Sequence, residues 1–364
     1  MVGKNRARRL ADLVTGYSLG LHEGDIFLIE AEAGFDYHVR QLERSAKRRG
    51  AKVIHYAYDL KEKRKLIRAC DDNELAKERD RLCSLANQAT AFMWVDATKN
   101  PEYLRGVNQD NIARYEEEVE DPYVDIREKS NRWVGVAYPS EANAKRTGMS
   151  LRKYTDFLYS IILGVDYARL RKKMGQIKGR FDNAKDVHIF VPGQTDLHLS
   201  LEGRGGEICD GHFNLPDGEI EWGPVENSAE GFFYSPYSII YDGNELGGIK
   251  VVLRRGQIVD FSAKKGRRLL EAIFNEENAR FLGEFGIGCN DRIEQEEGDV
   301  IVLEKKKKSV HIAPGGAFIG QPLECGGGLN DSPVHLDLVC DLSKGGELYV
   351  DGQLVQKNGL WTFK

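Results

Sequence analysis

Apolar and polar positions follow one rhythm in the first half of this chain and another in the second. Residues 4–19 repeat at helical spacing, with Leu10, Leu13, Val14 and Tyr17 on one face. Short apolar runs then come at intervals, over Asp25–Glu30, Lys52–Tyr58, Ala91–Val95 and Trp133–Tyr138. Between them, residues 35–49, 73–89 and 109–129 carry helical patterns. Strands separated by helices of this length imply parallel pairing through right-handed crossovers. The pattern predicts a small three-layer α/β domain with a parallel sheet. Residues 139–181, helical and rich in Arg and Lys, lead out of it.

From Val187 onward the rhythm shortens to strands and Gly-bearing turns. Val187–Val191 and Asp196–Leu201 alternate. Tyr241-Asp242-Gly243-Asn244 and Arg254-Arg255-Gly256-Gln257 read as hairpin turns between apolar runs. Residues 266–284 read as one helix, with Leu269, Leu270, Ile273, Phe274, Phe281 and Leu282 on its buried face. The second half is therefore predicted to be α+β and mostly antiparallel. The change falls between residues 180 and 187, giving domains at 1–183 and 184–364.

The chain has 364 residues, enough for two cores. Its 41% apolar and 30% charged content fits a soluble globular protein. A net charge of -5 gives no case for a nucleic-acid surface. No apolar run reaches membrane-spanning length. The basic start, Met1 to Arg9, lacks the apolar region and cleavage site of a signal peptide. The six cysteines are scattered without a CxxC pair, which points to reduced thiols in the cytoplasm. Neither a GxGxxG after the first strand nor a Walker lysine motif is present, so no nucleotide site is read.

The chemistry concentrates in the second half. In Ser332-Pro333-Val334-His335-Leu336-Asp337-Leu338-Val339, His335 and Asp337 stand two apart in an alternating segment. Two apart on a strand means the same face. Val310-His311-Ile312-Ala313 is a second strand-like run with one His. Glu284 ends the helical pattern, and Glu219 follows a Pro-Asp-Gly turn. Two imidazoles and three carboxylates form a mixed N/O set that suits zinc, cobalt or manganese. Each also has a plain reading: a surface strand pair, a structural His, solvated carboxylates. His212 is a weaker candidate, His188 and His198 are assigned no role, and Lys305–Lys308 reads as a solvated loop.

Several segments carry a resemblance. Asn214-Leu215-Pro216-Asp217-Gly218-Glu219 resembles the Asn-x-Pro segment, ending in a metal-binding glutamate, of the thermophilic metalloaminopeptidases (aminopeptidase T and S type). Ala279-Arg280-Phe281-Leu282-Gly283-Glu284 resembles that family's Ala-Arg-x-Leu-Gly-Glu helix, whose glutamate bridges or binds the metals, Val310-His311-Ile312-Ala313 its His-Ile-Ala strand, and Ser332–Asp337 its closing His-x-Asp. Asp351-Gly352 and Asn358-Gly359-Leu360-Trp361 resemble its tail. The resemblance implies that Glu219, Glu284, His311, His335 and Asp337 hold two divalent ions. It also implies release of N-terminal residues from peptides, and a homodimer. Two ions about 3.5–4 Å apart would activate a water between them. Glu304, or failing it Glu284, would carry the proton to the leaving amine. Phe318 stands where the best-known bacterial members have a tyrosine, seven residues after the His. Two other readings stay open. His311, His335 and Asp337 alone would make a 2-His-1-carboxylate iron site, and a dihydroxypyridine dioxygenase is similar to this family. A metal-binding relative without turnover is the other.

Overall fold

In a computed structural model of the chain, residues 2–97, 100, 102–241, 244–294 and 300–363 are described. Internal contacts group Met1–Gly164 with Gly211–Pro216, and Val165–Asp210 with Asp217–Lys364. The helix Tyr167–Phe181, placed before the expected division at 183/184, groups with the second unit.

The first unit is built on a parallel sheet. Its strands are β1 (Ile26–Glu32), β2 (Lys52–Tyr58), β3 (Ala91–Asp96) and β4 (Trp133–Ala137), in the order β2-β1-β3-β4, with the two-residue strand Asn214–Leu215 beside β4. Every pairing is parallel. The helices are α1 (Val2–Leu13), α2 (Asp36–Arg48), α3 (Leu60–Ala69), α4 (Asp72–Gln88), α5 (Gln109–Tyr115), α6 (Asp121–Lys129), α7 (Glu141–Arg146) and α8 (Leu151–Leu163). Leu28 and Phe92 pack with Ile67, Leu75, Leu82, Tyr115 and Tyr123 on one face. The alternate positions Phe27, Ile29 and Met93 are buried too, and α2 packs against β1 and β2. Burial on both faces is what makes β1 and β3 read as nearly continuous apolar runs. At Gly135 on β4, a Cβ would overlap the Trp94 ring on β3, so only glycine fits there. The expected helices appear; α3 is an addition, a mostly charged helix with Ile67 as its one buried residue.

The second unit holds α9 (Tyr167–Phe181) and two antiparallel sheets. Its strands are β5 (Val187–Val191), β6 (Thr195–Leu199), β7 (Glu207–Cys209) and, after Asn214–Leu215 (β8) of the first unit, β9 (Glu219–Trp222), β10 (Glu230–Tyr241), β11 (Asn244–Arg254), β12 (Gln257–Lys265), β13 (Leu282–Gly288), β14 (Ser309–Pro314), β15 (Leu338–Asp341), β16 (Glu347–Val350), β17 (Gln353–Lys357) and β18 (Leu360–Trp361). The larger sheet runs β12-β11-β10-β6-β5-β16-β17-β18 and the smaller β15-β14-β13-β9-β7. The turn at Arg255-Gly256 has both residues at positive φ, 48° and 77°, as a tight hairpin requires. The other expected hairpin turn, at Asp242-Gly243, lies outside the described residues. Phe181 of α9, Trp222 and Phe285 stack with ring centroids 5.5–6.2 Å apart and fix the helix on the smaller sheet.

One expected element is corrected. The helix read over 266–284 covers only Arg267–Ile273 (α10). Asn278 takes a positive φ of 56°, and the chain then enters β13, where every residue is buried. Phe281 therefore belongs to the approach to this strand, Leu282 opens it, and Glu284 sits inside it. The cause of the misreading is that β13, buried on both faces and rich in glycine, shows no alternation.

Candidate metal centre

The smaller sheet gathers the chemistry. Its central strand β13 lies between β9 and β14, and Gly286 is opposite both Glu221 and His311. A Cβ at Gly286 would overlap the His311 ring at Nε2. The missing side chain is what lets a buried imidazole lie across β13. Glu284, two residues earlier, shares that face. Its Oε1 lies 2.8 Å from His311 Nε2 and its Oε2 3.3 Å from His335 Nε2. Glu219 on β9 brings Oε2 to 3.6 Å from the same His311 nitrogen.

His335 and Asp337 lie just ahead of β15 and not within it, with His335 bridged to Gly315. The alternation holds all the same: Val334, Leu336 and Leu338 are buried, while His335 and Asp337 turn the other way. His335 Nδ1 donates to the Gly316 carbonyl at 2.8 Å, which turns Nε2 toward Asp337 Oδ1 at 3.4 Å. All five ligand-type residues expected from the sequence thus meet. They form two triplets, Glu219–Glu284–His311 and Glu284–His335–Asp337, that share Glu284.

The donor set fits divalent metal. Ligand bonds of about 2.0–2.2 Å put neighbouring ligand atoms about 3.4 Å apart around a tetrahedral ion. The separations of 3.3, 3.4 and 3.6 Å match that spacing and are long for hydrogen bonds. Glu219 Oε2 is buried without a hydrogen-bond partner among the described residues. In the protein without ions the imidazoles supply the positive charge. Burial disfavours His311 as a cation, but the hydrogen bond and charge of Glu284, with the charges of Glu219 and Asp337, outweigh it and raise its pKa to about 9. Burial also disfavours Glu284 as an anion, yet His311 and His335 hold it far below the usual carboxylate range.

A further group was not foreseen. Lys305 is 1% exposed, not part of a solvated loop. Its Nζ donates to Glu219 Oε1 at 2.7 Å and pairs with Glu304. Lys306 is buried against Asp341 at 3.1 Å. Glu304, the expected proton carrier, is buried next to this ammonium, and burial pushes its pKa well up against the pull of Lys305. Glu221, two residues after Glu219, is buried near Glu219 and Cys209. Burial and the charges of Glu284 and Glu219 push its carboxyl well up. The two-residue spacing that marks His335 and Asp337 also marks Glu219 and Glu221, so this residue was open to sequence reasoning. His212 belongs to the first unit, with its ring 4.8 Å from that of Tyr17. Phe318 lies with its ring centroid 6.0 Å from His335.

Known proteins resemble this chain to different degrees. The sequence profile of the family described as thermophilic metalloprotease (M29) matches residues 4–361. Aminopeptidase 2 of Geobacillus stearothermophilus is 21% identical across 98% of this chain and 97% of its own length. Aminopeptidase PepS of Streptococcus thermophilus is 30% identical over 202 residues, a match that spans 48% of either protein. Among solved structures, wild-type AmpT from Thermus thermophilus aligns with a TM-score of 0.81 at 22% identity, over 99% of this chain and 100% of that one. A 2,5-dihydroxypyridine dioxygenase from Pseudomonas putida KT2440 aligns with a TM-score of 0.62 at 14% identity, over 99% and 98%. Both likenesses are of fold. Since the profile spans nearly the whole sequence, this chain belongs to the thermophilic metalloprotease (M29) family and is a hydrolase of the metallo-aminopeptidase class.

Proposed function

We propose that this chain releases N-terminal residues from peptides at a pair of divalent ions held by Glu219, Glu284, His311, His335 and Asp337. The observation that carries the reading is Glu284, whose two oxygens face two different imidazoles. Glu219 and His311 would hold one ion, His335 and Asp337 the other, and Glu284 both. When bound, such a pair lowers the pKa of a water and polarises a carbonyl. Zinc, cobalt and manganese all suit the donor set.

The protein's own groups do the rest. The Gly316 carbonyl fixes the His335 tautomer and keeps Nε2 toward the site. Glu304, with its raised pKa, is suited to take the proton released by the water and pass it to the departing amine. Phe318 presents an apolar ring beside His335 and offers no hydroxyl to a substrate carbonyl. The iron dioxygenase reading is less favoured, because it leaves Glu219 and its buried, unpartnered oxygen without a task. The proposal includes a homodimer and a reducing, cytoplasmic setting in which the six cysteines stay thiols.

The test is metal content on protein purified without chelator, with release of N-terminal residues from a peptide panel after adding Zn²⁺, Co²⁺ or Mn²⁺. About two ions per chain with residue-by-residue release is the expected result. One iron per chain without cleavage would overturn it. Light scattering on the eluting peak reads the oligomeric state.

A further inference from the structure

Glu219 faces two cations at once. Its Oε1 accepts from the Lys305 ammonium at 2.7 Å, and its Oε2 is turned toward His311 Nε2. The lysine is held on the sheet and is not a mobile neighbour: the Asn290 amide donates to its carbonyl at 2.9 Å. A Cβ at Gly288 would overlap the Lys306 carbonyl and crowd that of Glu304, so residues 304–306 lie directly against β13. Among the described residues, no lysine or arginine pairs with Glu284, His335 or Asp337. The two triplets therefore have different charge environments. One shares its carboxylate with a fixed ammonium, and the other does not.

We propose that Lys305 makes the metal pair unequal: it occupies one oxygen of Glu219, so the ion at Glu219–Glu284–His311 binds more weakly and exchanges sooner than the ion at Glu284–His335–Asp337. This rests on the reading of these five residues as ligands of a metal pair. Two physical effects act in the same direction. A carboxylate with one oxygen engaged can offer only the other to an ion. A positive charge fixed this close also repels a second cation, and the repulsion is strong because the site is buried. Glu304 moderates both effects, since it takes part of the ammonium's charge. Lys305 is thus a positioning residue, acting through Glu219. The consequence is an enzyme whose ion at Glu219–Glu284–His311 is gained and lost as metal supply changes while the ion at Glu284–His335–Asp337 stays.

The experiment titrates metal-free protein with Zn²⁺ in competition with a chromophoric chelator, for the parent, Lys305→Met and Glu304→Gln. The parent should take up two ions in two separated steps. Lys305→Met should tighten the second step on the order of 10- to 100-fold, because it removes a positive charge fixed beside the ion in a buried site, and leave the first unchanged. Glu304→Gln should weaken the second step, because the ammonium is then left to Glu219 alone. Anomalous diffraction from crystals loaded with one equivalent should place that ion between His335 and Asp337. Two equal steps in the parent, or an equal change in both steps of Lys305→Met, would overturn the proposal and leave the ligand set standing. Should Lys305→Met not fold, an unchanged second step in Glu304→Gln overturns it equally. No uptake by the parent would instead defeat the ligand reading on which it rests.

Discussion

Replacing Glu284 by Gln keeps the shape of the side chain and removes its charge. In the parent the two oxygens lie 2.8 and 3.3 Å from the imidazole nitrogens of the two triplets, so one substitution reaches both. Breaking a buried charge pair on one side costs about 3–5 kcal/mol. At about 1.4 kcal/mol per decade, that is roughly two to three and a half decades of affinity. The expected result is loss of at least one ion per chain after gel filtration, read by elemental analysis and calorimetric titration. The metal-free protein gives a second readout. His311 there has a pKa near 9, against an ordinary 6.5. A group raised in the folded state contributes stability that is fully present below its unfolded pKa and lost as pH rises through its folded one. The interval corresponds to about 3 kcal/mol, disappearing between about pH 6.5 and 9 in the chelated parent. In Glu284→Gln this slope should shrink sharply. Retained two-ion occupancy, or an unchanged pH slope of the urea midpoint, would refute the reasoning.

Other outcomes follow from single contacts. Gly286→Ala forces a methyl into the His311 ring; it should cost about 1–3 kcal/mol in a melt and weaken metal uptake, and normal metal content would speak against the tight crossing at β13. Phe318→Tyr places a hydroxyl near His335; kcat should rise about tenfold or more, within what a buried oxyanion donor is worth, with unchanged metal content. No gain would mean that the ring position does not reach the substrate carbonyl. In the first unit, Arg132 holds Asp25 through two bonds of 2.7 and 2.8 Å and keeps its carboxyl well below the usual range. That contribution is present above the unfolded pKa and lost as pH falls toward the folded one. Asp25→Asn should therefore cost about 2 kcal/mol at neutral pH and flatten the acid side of the denaturation profile below about pH 4. An unchanged acid limb would remove Arg132 from the account.

The parallel sheet was legible because its strands are short, largely apolar and separated by helices. The five ligand-type residues were legible for another reason. His335 and Asp337 keep period-two spacing even ahead of their strand, and Glu219, Glu284 and His311 sit in segments that resemble a known family. What stayed hidden depends on tertiary burial. Glu284 was read onto a helix because β13, buried on both faces, has no alternation to read. Lys305 was read as solvated because a run of four lysines carries no local sign that one of them will lie between two carboxylates. Glu221 was missed although its spacing from Glu219 was visible.

The five proposed ligands come from β9, β13, β14 and the approach to β15, which are neighbours in the smaller sheet and emerge in chain order. A chain leaving the ribosome presents Glu219 first and Asp337 last. The triplet with Glu219 is complete once β14 has emerged, while the triplet with Asp337 waits for the residues before β15. On the proposed ligand reading, metal uptake would report the assembly of this sheet. A chain stopped short of His335 would keep one triplet and lose two members of the other.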